Sequence, residues 1–149
     1  MATFKTPNHE KNSDTEDAGL LYLKAKEKGI HIPSKEERQQ ILAFFGISKK
    51  FGQTFDAVRL RVKKFKDVKV ATDMELIEVK VTQKHLKNFP AGFFFGMTEN
   101  EEMLLKVFEP NFKLCLVSLF PGAEAHRMFT YKELETSVRN KRIQYQINL

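Results

Sequence analysis

The sequence predicts an α/β or α+β layer fold, with helices covering a central mixed β-sheet. Three observations carry the prediction. Helix-start punctuation precedes helical segments at Ser34 with Glu37 and again at Thr98 with Glu101. Alternating or β-branched runs, "VRLRVK", "DVKVA" and "ELIEVKVT", lie between those two helices. The resulting order is helix, helix, three strands, helix, strand, helix and edge strand, which is that of a layered mixed fold.

A chain of 149 residues fits one domain that buries roughly 70% of its unfolded surface. Residues 1–14 hold almost no large apolar side chains and are expected to form a flexible N-terminal arm, leaving 15–149 as a single domain. Asp14 or Thr15 can cap a first helix, whose apolar side is Leu20, Leu21 and Leu23 and whose exit is Gly29. The second helix, "KEERQQILAFFG", carries its apolar residues late, at Ile41, Leu42, Phe44 and Phe45, so it docks by its C-terminal half. Pro110 stops the helix that Thr98 opens. The following "FKLCLVSLF" is apolar on both faces, as an interior strand is. A short helix, "TYKELETSVRN", and an alternating edge strand, "RIQYQINL", complete the order.

Several function classes are excluded by what is missing. Cys115 is the one cysteine, so there is no internal disulfide, and it reads as a core residue of a reduced compartment. With one Cys, and with His9, His31, His85 and His126 at unrelated spacings, no structural zinc site forms. There is no glycine-rich phosphate loop and no G-x-S-x-G elbow, which removes P-loop hydrolysis and triad acyl transfer. No run of 18 apolar residues is present and the start is polar, so the expectation is a cytoplasmic protein without a membrane partner.

Charge gives a direction. There are 25 Lys and Arg against 19 Asp and Glu, a formal net charge of +6. Arg59, Arg61, Lys63, Lys64, Lys66 and Lys69 fall close together, next to an acidic motif, which favours a polyanionic partner.

That motif is "DVKVATDMELIEVKVT", Asp67 to Thr82. If its two halves form an antiparallel hairpin turning at Thr72 and Asp73, Asp67 faces Glu78. Facing residues have Cβ atoms about 4.5 to 5.5 Å apart, where two carboxylates repel unless a cation lies between them. Glu78 and Lys80 then project from one face while Ile77, Val79 and Val81 project from the other. Magnesium suits one or two carboxylates plus waters and a substrate phosphate. An ammonium beside it can orient water or stabilise developing charge. Asp73, at the turn tip, is the rival first ligand and also a common turn residue.

"D-V-K-V-A" followed by "L-I-E-V-K" resembles the PD-(D/E)xK nuclease superfamily, with Lys66 standing where the family name records Pro. The resemblance implies a restriction-endonuclease-like core, ordered helix, three strands, helix, strand, over roughly residues 35–120. It implies Asp67 and Glu78 as metal ligands, the Val79 carbonyl as a further ligand, and Lys80 as the catalytic lysine. Some members add an acidic residue from the preceding helix, for which Glu36 and Glu37 are candidates by position. "FFFGMTENEEMLL" is also similar to restriction-type domains in which an aromatic segment leads into an Asn-Glu helix.

The expectation is a Mg²⁺-dependent DNA endonuclease, with Mn²⁺ as a substitute and Arg59, Arg61, Lys84 and Lys87 on phosphates. A duplex cut on both strands calls for a homodimer. The alternatives are a non-catalytic nucleic-acid-binding module of the same fold and a protein-interaction domain.

Overall fold

The computed structural model describes residues 7–145 and 147–149, with side chains from residue 14 onward. Nine elements matter: α1 (Pro7–Lys26), β1 (Ile30–His31), α2 (Lys35–Phe45), β2 (Ala57–Leu60), β3 (Met74–Thr82), α3 (Glu99–Val107), β4 (Phe112–Ser118), β5 (Ala125–Phe129) and α4 (Tyr131–Ser137). The fold is α+β, and the five strands among the described residues make one mixed sheet in the order β1-β2-β3-β4-β5. Only β3 and β4 run parallel; the other neighbours are antiparallel. A parallel pair needs a long crossover, and the connection that contains α3 provides it.

Alternation along β3 and β4 divides the core in two. Leu76, Leu114 and Leu116 face one side, where they pack with Ile41 and Leu42 of α2 and Leu104 and Leu105 of α3. Ile77, Val79, Cys115 and Val117 face the other, with Leu23 of α1. The sheet is therefore the middle of three layers. Helix α1 lies directly on β3: a Cβ on Gly19 would come within 2.3 Å of a Val81 methyl, so only glycine permits the approach. Burial in this core pushes the Cys115 thiol up to about 12, which makes it an inert apolar filler.

The helices begin where their sequence signals place them, because those signals are local. Ser34 with Glu37, Thr98 with Glu101 and Thr130 with Glu133 each form a reciprocal capping box, and Gly46 closes α2 in the left-handed region at φ 67°. Helix α1 departs from expectation. It begins at Pro7, a residue suited to a first helical turn, so the expected arm 1–14 is helical from residue 7; residues 1–6 lie outside the described part.

Two strand expectations are corrected. "DVKVA" is not a strand: residues 65–67 and 71–73 are 3-10 turns, and the Asp73 carboxylate accepts hydrogen bonds from the amides of Lys69 at 2.9 Å and Val70 at 3.1 Å. Those amides are thereby taken from any ladder, and the expected hairpin does not form. "RIQYQINL" makes no strand among the described residues, and its Ile143, Tyr145 and Ile147 are exposed. The short β1 and the edge strand β5 arise instead from segments not read as strands.

Candidate functional site

With the hairpin gone, β3 finds its antiparallel partner in β2, where Ala57 pairs with Ile77. One further step in that register sets Asp56, at the head of β2, across from Glu78. Hydrogen bonds fix the alignment: the Asp56 amide donates to the Ile77 carbonyl at 2.8 Å, and the Val79 amide donates to Asp56 Oδ2 at 2.8 Å. Arg38 of α2 holds the approach to Asp56. Its guanidinium lies over the Phe55 ring at 4.6 Å and donates to the carbonyls of Gly52, at 3.0 Å, and Phe55.

Two more side chains, Lys80 and Glu101, meet at this pair. Lys80 Nζ lies 3.1 Å from Glu78 Oε1 and 2.9 Å from Glu101 Oε2. Glu101 comes from the first turn of α3, where its other oxygen accepts the Thr98 amide at 2.9 Å. Glu78 Oε2 is buried and has no hydrogen-bond partner among the described residues.

The electrostatics are lopsided. Burial, then the Glu101 hydrogen bond and the Asp56 charge, push the Glu78 carboxyl from 4.5 up to about 11. Burial also works against the Lys80 ammonium, but Glu78 and Glu101 outweigh it and hold Lys80 above its ordinary value. For Glu101, burial acts upward and is outweighed by hydrogen bonds from Glu78 and Lys80 and from the Thr98 backbone, which hold it low. Glu16 of α1 feels the same field, its carboxyl raised by burial and then by Asp56. The cluster thus gathers acids against few cations, and a cation entering it would relieve the repulsion. Among the described residues no three His, Cys, Asp or Glu side chains form a ready-made metal cage.

The expected site residues divide accordingly. Glu78 and Lys80 stand together as the alternation requires, and the Val79 backbone belongs to the same cluster through Asp56. Asp67 does not face Glu78; it is exposed in the 65–67 turn, its amide bonded to the Lys64 carbonyl at 2.9 Å. The carboxylate that faces Glu78 across the ladder is Asp56 instead. Arg59 and Arg61 do not flank the cluster either. They pair with Glu75, which projects from the opposite face of β3 to Glu78. Lys84 and Lys87 are exposed beyond the end of β3. Glu37 caps α2 and pairs with His31 at 3.0 Å, Glu36 is exposed in the same turn, and Asp73 holds its own turn. Two residues of the cluster were missed. Asp56 had a signal, an acid heading the alternating run "DAVRL", and Glu101 was visible only as a helix cap.

Among the described residues no helix is long and apolar enough to cross a membrane. No family model, no curated protein and no solved structure matches the chain.

Proposed function

We infer that this chain is a Mg²⁺-dependent endonuclease acting on DNA, with a restriction-endonuclease-like core of the PD-(D/E)xK type. The observation that carries the reading is Asp56 set across the antiparallel β2–β3 ladder from Glu78, with Lys80 two residues further on the same face. Over the expected residues 35–120 the order is α2, β2, β3, α3, β4, one strand short of the implied core; the succession runs helix, three strands, helix, strand only when counted from α1 and β1, with α2 set between β1 and β2.

The residues fit a hard divalent ion: two facing carboxylates, one with a buried unpaired oxygen, suit a cation that keeps waters and a substrate phosphate. Asp56 and Glu78 would hold it, with the Val79 carbonyl as a further oxygen, and Mn²⁺ would substitute. When bound, it supplies Lewis-acid polarisation of the phosphoryl oxygen and a more acidic water. Lys80 stabilises negative charge developing on the phosphate and orients the attacking water. Glu101, beside Glu78, also holds the ammonium, at 2.9 Å. Cutting both strands of a duplex calls for two copies related by a two-fold axis.

A second reading, a binding module without catalysis, draws on the absence of a three-ligand cage among the described residues. Metal dependence separates the two. Wild type, Asp56→Asn and Glu78→Gln are incubated with supercoiled plasmid and Mg²⁺ or Mn²⁺, with a chelator control. Both variants should lose at least about 100-fold in nicking rate while retaining plasmid binding in chelator. A folded Glu78→Gln protein that cuts as fast as wild type overturns the assignment.

A further inference from the structure

At the other end of β2 from Asp56 is a second constellation. The loop after α1 closes against β2 at Gly29, whose carbonyl accepts the Leu60 amide at 2.7 Å. Gly29 has φ +84°, and a Cβ there would come within 2.4 Å of the Leu60 carbonyl oxygen, so backbone meets backbone with no side chain between. Two adjoining hollows open beside this closure, of about 360 and 620 Å³, sharing Gly29, Leu60, Val62 and Lys63. The His31 and Phe65 rings stack at 5.4 Å along one of them.

The rim is basic. Lys24 and Lys28 come from the end of α1 and its loop, and Lys63 and Lys64 from the segment after β2. All four are exposed, and among the described residues none has an acidic partner. Most nearby acids are already engaged: Glu75 by Arg59, Arg61 and Lys113, Glu27 by Arg59 and His126, and Glu37 by His31; Asp67, in the turn after Lys64, is the exception. Four ammonium groups without ion-pair partners among the described residues therefore rim the two joined hollows, against one nearby unpaired carboxylate, Asp67.

We propose that this groove is a second nucleic-acid contact, binding the phosphodiester backbone at a place separate from the carboxylate cluster. The chemistry selects that ligand. Lysines are flexible point charges, suited to backbone phosphates rather than to bidentate reading of bases. The groove is open and its charges are distributed along it, so it matches a line of phosphates better than one enclosed anion. From Asp56 to Leu60 is about 13 Å at strand rise, and a nucleic acid touching both ends of β2 must span about four base steps. The proposal rests on the nuclease reading for its substrate and adds a contact that holds substrate without taking part in hydrolysis.

The test measures binding of a fluorescently labelled 30-base-pair duplex in chelator across a salt series. It compares wild type with a variant in which Lys24, Lys28, Lys63 and Lys64 are all changed to Gln. Since each lysine–phosphate contact contributes about 0.9 to the slope of log affinity against log salt, the variant should lose about 3 to 4 from that slope and at least tenfold in affinity. An unchanged slope overturns the proposal, as does a wild type that does not bind the duplex. Wild type binding anionic vesicles but not the duplex assigns the groove to a lipid surface and overturns it equally. If the fourfold variant does not fold, Lys63→Glu with Lys64→Glu serves in its place, with the same direction required. Cleavage in Mg²⁺ is read in parallel on the wild type. Binding that depends on the groove with no cutting would sink the nuclease reading alone, whereas cutting with an unchanged slope would sink the groove alone.

Discussion

Glu75 and Glu78 stand three residues apart on β3, both buried at 1% and 7% exposure, and their surroundings differ in kind. Glu75 projects toward the α1 layer and is held by three cations, with Lys113 at 3.0 Å, Arg61 at 3.3 Å and Arg59 closest of all. Glu78 projects toward α2 and α3, where Lys80 is its ion-pair partner, Arg38 lies within electrostatic reach, and carboxylates come from Asp56 and Glu101. Burial alone does not distinguish a structural acid from a functional one. The neighbours decide, since a buried charge with matched partners stabilises a fold whereas a buried acid crowded by acids is a strained position.

The contrast is broken most strongly at Glu75. Glu75→Ala leaves the partly buried Arg59 and Lys113 short of their shared carboxylate, and should cost about 3 kcal/mol of stability by chemical denaturation. A loss under 1 kcal/mol would mean that the three cations reach solvent without help.

Glu78 should respond in the opposite sense. Its carboxyl keeps a proton in the native state to about 11 but releases it near 4.5 when unfolded. The native state therefore holds the extra proton between those values, and stability falls as pH rises through that window. Glu78→Gln, which cannot ionise, should flatten the decline in melting temperature between pH 5 and pH 9 and melt higher than wild type at pH 8, in chelator. Parallel pH profiles for the two proteins would remove Glu78 from the strained class.

The smallest effect is expected at Asp67. It is exposed in a turn, so Asp67→Ala should change stability by no more than about 0.5 kcal/mol and leave plasmid nicking at the wild-type rate. Loss of nicking would return Asp67 to the site.

These differences show which parts of the molecule local sequence can express. Helices α2 and α3 were legible because a capping box is completed within four residues; the box that opens α4, Thr130 with Glu133, was there to be read and was not. Strand β3 was legible because its alternation set Glu78 and Lys80 on one face whatever its partner was. The partner was not legible. "DVKVA" has the β-branched content of a strand, yet Asp73 claims its amides locally, and the strand that does pair with β3 lies further back in the chain. Asp56 was hidden for that reason: facing residues follow from register, and register here is a tertiary property. Strands β1 and β5 were missed on similar grounds, since Ile30–His31 is two residues long and "AHRMF" has no β-branched residue; each is a strand only by pairing with β2 or β4.

Glu101 divides its carboxylate between two tasks, one oxygen on the Thr98 amide at the head of α3 and the other on Lys80. Fraying of that first turn would therefore leave the lysine on Glu78 alone, so the geometry of the cluster depends on the integrity of a helix end. The Thr98 amide is a built-in gauge of this. Its hydrogen-exchange rate reports, with no substrate present, how much of the time Glu101 is in place to hold Lys80.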